Sequence, residues 1–286
     1  MQIVEQGRGP ALVLIPGLQG RWEYFRPAVD ALSSAFHVMT FPLCDEPSAD
    51  FAFDSSRGFD CYVEHVRAAL DHCRVERAIV CGISFGGLVA LRFAAAHADR
   101  TCGLVLASTP GPGWQLRPRH ELYARLPFLL GPLFFAETPW RLRREIVSAF
   151  PELPARLRFT GLQLGTLLRA PLSLARMACR ARMIATIDAV ADCARISAPA
   201  LIVTGERALD HVVSVDDSVG YVSLIRGARG VVLEGTGHLG SITRPAAFAA
   251  IVREFADGTV IQRVLSDPPQ RRVQKDPAHS RAPEVA

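Results

Sequence analysis

The chain has 286 residues, of which 49% are hydrophobic and 21% charged, the balance of a globular protein with room for a sizeable core. Its basic side is almost entirely arginine, Lys275 being the one lysine. The net charge of +4 is too small and too scattered to imply a nucleic-acid partner.

The opening residues, MQIVEQGRGPALVLIPG, lack a basic stretch followed by an unbroken apolar run and a cleavage site, so no secretory signal is expected. Ala11 to Ile15 reads as a short buried strand running into Pro-Gly. Phe25 to Phe36 has helical spacing and leads to a strand at His37 to Phe41. Phe59 to Cys73 is an amphipathic helix with Tyr62, Val66, Ala69, Leu70 and Cys73 on its apolar side. A strand at Ala78 to Ile83, a helix at Phe85 to Ala96 and a strand at Gly103 to Ala107 follow. Such alternation predicts a mainly parallel sheet with helices on both faces, an α/β fold.

The period breaks at Pro110, and no strand-like segment recurs before Arg195. The run Leu126 to Phe135 is apolar, but it is too short for a membrane span and holds Pro127, Gly131 and Pro132. Strand and helix resume over Ala200 to Thr204, Val219 to Arg226, Val231 to Leu233 and Ala246 to Phe255. The expected organisation is therefore a sheet core over 1–110 and 196–265, a helical insertion over 111–195, and a disordered tail over 266–286, rich in Pro, Arg, Gln and Asp. Seven scattered cysteines suggest neither a disulfide framework nor a metal site, and fit a cytoplasmic protein with reduced thiols.

Chemistry concentrates at Gly82-Ile83-Ser84-Phe85-Gly86, where an apolar strand runs straight into an alanine-rich helix. A serine on such a strand–turn–helix junction is a nucleophile candidate, because small neighbours let the strained turn form beside a helix N-terminus. The plain alternative is a glycine-rich turn in which Ser84 caps the helix. A phosphate-binding loop is disfavoured, since no Walker lysine or G-x-G-x-x-G accompanies it.

A serine nucleophile needs a base, and the base needs an orienting carboxylate. Among eight histidines, His238 stands apart in Glu234-Gly-Thr-Gly-His-Leu-Gly240, directly after a strand. His65, His72 and His97 lie in helices, and His211 is the remaining rival. For the acid, the segment after Ala200 to Thr204 offers Glu206 and Asp210. Asp210 is favoured because it lies further into the loop, while Asp216 and Asp217 fit a role in capping the next helix. The order Ser84, Asp210, His238 then suits a strand-end site.

Four segments in order carry a resemblance: Ile15-Pro-Gly-Leu-Gln-Gly20, Gly82-Ile-Ser-Phe-Gly-Gly87, Thr204-Gly-Glu-Arg-Ala-Leu-Asp210 and Gly235-Thr-Gly-His238. Over roughly residues 3 to 260 the chain resembles an α/β-hydrolase fold protein with a nucleophile elbow and a helical cap. The resemblance implies a Ser84–His238–Asp210 triad and an oxyanion hole made by the backbone amides of Leu18 and Phe85. Relatives usually carry His-Gly where this chain has Pro16-Gly17, a change that leaves a backbone donor in place. The short N-terminus suggests that the first antiparallel strand of the full eight-stranded sheet is missing.

The implied activity is hydrolysis of a carboxylic ester or thioester with a small apolar acyl group, through an acyl-enzyme and with no metal or organic cofactor. Acyl transfer to another acceptor, carbon–carbon hydrolysis, lyase chemistry and a non-catalytic small-molecule receptor stay open on the same scaffold. The only partner implied is the small-molecule substrate, and no oligomeric state is. The insertion carries 13 arginines against 6 acidic residues, a net +7, which suits either a solvated basic face or an anionic substrate such as a coenzyme A thioester.

Overall fold

The computed structural model describes residues 1–266, with side chains through Gly258. In chain order the sheet core begins with β1 (Val4–Gln6), β2 (Ala11–Ile15), α1 (Arg26–Leu32), β3 (His37–Thr40), α2 (Asp60–His72), β4 (Ala78–Ile83), α3 (Phe85–Ala96) and β5 (Thr101–Ala107). Five helices follow without a strand: α4 (Pro118–Arg125), α5 (Pro127–Ala149), α6 (Leu153–Arg169), α7 (Leu174–Met183) and α8 (Ala189–Ala194). The core resumes with β6 (Ala200–Thr204), α9 (Val215–Leu224), β7 (Arg229–Val232), α10 (Gly240–Thr243) and α11 (Pro245–Ser266).

The seven strands lie in the order β1-β3-β2-β4-β5-β6-β7. All neighbours are parallel except β1, which pairs antiparallel with β3 through Val4↔Thr40 and Gln6↔Val38. The central strands β2, β4, β5 and β6 are buried on both faces, and their sequences are mostly apolar. On β2, Leu12 and Leu14 pack with α1 and α11 through Leu32, Phe248 and Val252. Val13 and Ile15 point the other way, towards Tyr62 and Val66 of α2 and Leu91 of α3. The two faces of one strand thus seat two separate apolar layers, as period-2 geometry requires.

Several expectations need correction. The stretch before Ala11, read without a strand, forms a three-residue antiparallel edge strand on β3, while the seven strands of the described residues are one fewer than the eight of the full sheet. The Val219 to Arg226 segment is part of a helix that starts earlier, at Val215. Ser214, rather than Asp216 or Asp217, caps that helix by accepting from the Asp217 amide, leaving the two acids in the first turn where they favour the helix dipole. Helix α5 contains Pro132 and Pro139, each of which removes an internal hydrogen bond. Helix α11 continues to Ser266, and the rest of the expected tail, 267–286, lies outside the described residues.

Candidate functional site

The loops that follow β2, β4, β6 and β7 all emerge at the carboxyl edge of the parallel strands, the edge where α/β sheets place their ligands. Ser84 sits between β4 and α3 with φ +55° and ψ −120°, a backbone state costing a non-glycine residue on the order of 1–3 kcal/mol. Its amide donates to the Ala107 carbonyl at 2.8 Å, and its carbonyl accepts from Gly87 at 2.9 Å, so the strained turn is held from both sides. A Cβ at Gly82 would strike the Gly86 carbonyl, one at Gly86 the Ile15 and Pro16 carbonyls, and one at Gly87 the Thr109 side chain. Gly82 and Gly86 are thus required by backbone approach, and Gly87 by the Thr109 side chain. Ser84 does not cap α3 with its side chain. Its Oγ instead lies 3.1 Å from His238 Nε2.

His238 reaches Ser84 because the loops after β6 and β7 touch backbone to backbone. A Cβ at Gly205 would collide with the Gly237 carbonyl, and one at Gly237 would stand 2.5 Å from the Leu209 carbonyl. The Glu206 amide donates to Thr236 O at 2.8 Å. This contact carries Asp210 to His238, with Oδ2 3.4 Å from Nδ1. At that separation the contact is an ion pair longer than an ordinary hydrogen bond, of the kind that tightens when substrate binds. Asp210 Oδ1 accepts from the amides of Val212 at 2.9 Å and Val213 at 3.0 Å, which orients the carboxylate. Glu206, the rival acid, accepts from the Gly235 amide at 2.6 Å and pins the loop; no contact joins its carboxylate to the imidazole.

The electrostatics follow from this burial. Desolvation works against the charged imidazole of His238, yet the Asp210 carboxylate outweighs it, with Glu145 adding, and holds His238 above its ordinary value. Burial likewise opposes ionisation of Asp210, but His238 and the two loop amides prevail and keep that carboxyl below its ordinary value. The arrangement favours a proton on the histidine and a charge on the aspartate.

Leu18 and Phe85, the expected amide donors, stand on adjoining elements. The strands β2 and β4 pair directly through Ile15↔Gly82, so the loop after β2 flanks the first turn of α3. Phe85 opens that helix, where backbone amides lack intrahelical partners. The Leu18 carbonyl is held by Arg180 Nη1 at 2.8 Å.

Two buried charges of the insert escaped the sequence reading. Arg180 of α7 is fully buried and also binds Asp45, with Nη2 2.8 Å from Oδ1, and Glu46 at 2.5 Å. Glu145 of α5 is fully buried as well and accepts from the amides of Gly237 at 2.8 Å and Leu239 at 2.6 Å. Neither has a local signal, because each looks like one more member of an arginine-rich helix until its distant partner is known. The apolar run Leu126 to Phe135 divides: Pro127, Gly131 and Phe134 line a cavity of about 70 Å³ with Leu18, His120 and Met177, while Phe128, Leu129 and Leu133 are exposed. Leu18 is the one residue of the expected machinery on that cavity wall.

Among the described residues, no other histidine contacts Ser84. His65 is buried between the rings of Phe41 and Phe51, both at 4.5 Å, and burial pushes it down to about 4. Neither of its ring nitrogens has a hydrogen-bond partner. It belongs to the core, although its nitrogens are not satisfied there. His37 pairs with Glu5 at 2.9 Å. Among the described residues no group of three or more metal-ligating side chains gathers, and no helix is long and apolar enough to cross a membrane.

The profile of the alpha/beta hydrolase family matches residues 12–251, from β2 to α11. The chain belongs to that family. Solved alpha/beta hydrolases share its architecture. An enol-lactonase from Burkholderia xenovorans LB400 superposes with a TM-score of 0.73 over 90% of this chain and 96% of that one, at 23% identity. A thermophilic esterase from Thermogutta terrifontis does so with a TM-score of 0.71 over 90% and 93%, at 20% identity. Among curated sequences, the polyketide synthase ThaQ of Burkholderia thailandensis is 29% identical over 270 residues. That match covers 91% of this chain but 12% of the synthase, so the chain spans about an eighth of the length of that relative.

Proposed function

We propose that this alpha/beta hydrolase cleaves a carboxylic ester or thioester with a small apolar acyl group through a Ser84–His238–Asp210 triad. The observation that carries the reading is Ser84 Oγ at 3.1 Å from His238 Nε2, on a strained turn that aims the hydroxyl away from its own helix. In this reading Asp210 keeps the Nδ1 proton of the neutral imidazole, so that Nε2 is free to take the hydroxyl proton. The Ser84 alkoxide attacks the acyl carbonyl, and the oxyanion forms against the amides of Leu18 and Phe85, each worth on the order of 3 kcal/mol. His238 then returns its proton to the leaving alcohol or thiol, and the acyl-enzyme is released by a water that His238 activates. No step asks for a metal or organic cofactor.

The insert serves as the cap of the site. Its apolar cavity beside Leu18 supports an apolar acyl group. Acyl transfer, carbon–carbon hydrolysis, lyase chemistry or a receptor role would use the same residues. A fluorophosphonate probe decides between enzyme and receptor: wild type is labelled and Ser84→Ala is not. Nitrophenyl esters and acyl thioesters of graded chain length then define the bond and the acyl group. A folded wild type that neither labels nor turns over any of them overturns the reading.

A further inference from the structure

The loop bearing His238 is gripped from outside the sheet core. One oxygen of Glu145, Oε1, accepts from the amides of both Gly237 and Leu239, at 2.8 Å and 2.6 Å. These are the residues immediately before and after the histidine. One turn further along α5, Ser148 Oγ donates to the Gly235 carbonyl at 3.3 Å. Helix α5 therefore meets the loop at positions 235, 237 and 239. A carboxylate receiving two amides at these distances makes charge-assisted bonds about twice as strong as neutral ones; the amides favour its charge, while burial outweighs them and raises the Glu145 carboxyl above its ordinary value.

We propose that Glu145 is a positioning residue: it fixes the His238 backbone from the insert, so that the base faces Ser84 only while α5 is seated on the core. This rests on the hydrolase reading above and adds to it a coupling between the seating of the insert and the competence of the base. Once α5 lifts, both amides lose their acceptor, while the loop keeps its core-side ties: Gly235 to Glu206 Oε1 at 2.6 Å, Thr236 O to the Glu206 amide at 2.8 Å, and the Leu239 carbonyl to the amides of Ile242 and Thr243, both at 2.9 Å. None of those bonds uses the Gly237 or Leu239 amide. An imidazole displaced by about 1 Å from its nucleophile costs up to 100-fold in rate.

The charge of Glu145 gives a readout that a merely structural role would not move. His238 faces Asp210 from the β6 loop and Glu145 and Arg141 from α5; Glu206 holds the loop from the core side. Asp210 and Glu145 favour the imidazolium, and Arg141 opposes it. Glu145→Gln keeps an oxygen acceptor for the two amides and removes the charge. Its plateau labelling rate with a fluorophosphonate should fall less than that of the acceptor-free variant below, because neutral bonds are weaker than charge-assisted ones, while the acid limb of the rate moves to lower pH. Glu145→Leu removes the acceptor and should lower the plateau labelling rate about 10- to 100-fold, thermal unfolding serving as the check on folding. If Glu145→Leu does not fold, Glu145→Gln decides alone. A folded Glu145→Leu labelled at the wild-type rate, or a Glu145→Gln limb that does not move, overturns the proposal. Wild type that fails to label overturns the hydrolase reading itself, and that result is seen before either variant is made.

Discussion

The sheet core and the insert hold their parts of the site by different physics. In the core, position is set by backbone approach: Gly82, Gly86 and Gly205 stand where any Cβ would strike a neighbouring carbonyl, and Ser84 is forced to φ +55°. In the insert, position is set by two fully buried charges, Glu145 on the histidine loop and Arg180 on the Leu18 loop. Around those anchors the insert is loosely covered, with Phe128 80% and Leu168 78% exposed. The difference teaches that the core is rigid by shape and the insert is tethered by charge. Shape is insensitive to ionic state, whereas a tether depends on one partner remaining charged.

The largest effect that would sharpen this comparison lies in the core. Ser84→Ala should lower kcat by at least about 10⁴-fold, with thermal stability equal to wild type or higher. Retained turnover would remove the elbow from the chemistry altogether. Asp210→Asn should cost roughly 10³- to 10⁴-fold in kcat by favouring the wrong tautomer. It should also shift the pH profile in a defined direction. The reaction needs neutral imidazole, and His238 is held above the ordinary 6.5 chiefly by Asp210 acting against burial. On the proposed mechanism, kcat/KM of wild type should therefore fall as pH drops through a midpoint above the ordinary histidine value. The Asn variant should keep its residual activity to lower pH. An unmoved limb would mean that the orienting acid lies elsewhere, with Glu206 the next candidate.

Tests on the insert are read in stability before rate. Arg180→Leu leaves Asp45 and Glu46 buried without their cation and should destabilise the protein by about 3–5 kcal/mol in denaturant unfolding. Loss of less than about 1 kcal/mol would show that the tether is slack, since breaking a buried pair is rarely so mild. At the small end, Leu164→Ser on the open face of α6, where Leu164 is 56% exposed, should change stability by no more than about 0.5 kcal/mol. A larger loss would show that this face is covered in solution, and the looseness assigned to the insert would be wrong.

How much of this was legible depends on the range of the interaction. The strands and helices around Ser84 follow from local apolar period and glycine placement, and β4, α3 and β6 begin and end at the predicted residues. The antiparallel edge strand β1 was missed because three residues carry too little periodicity to register. The length of helix α5 was not legible, because Pro132 and Pro139 lie inside it and proline argues locally against a continuous helix. His238 was identifiable from its place after a strand, and Asp210 from its depth in a loop. What brought them together, the approach of Gly205 to Gly237, links residues in separate loops and has no local pattern.

The sequence by itself determined the alternating sheet, the elbow at Ser84 and the chain order of the three candidate catalytic residues, because each is written in short-range spacing and side-chain size. Only the tertiary structure decided which carboxylate meets the imidazole and that two charges of the insert hold the loops around it. Glu145 lies 92 residues from Gly237, and Arg180 lies 162 from Leu18. Such pairings are settled by which loops share one edge of the sheet, and the cost of burying a charge without its partner then selects the residues that meet there.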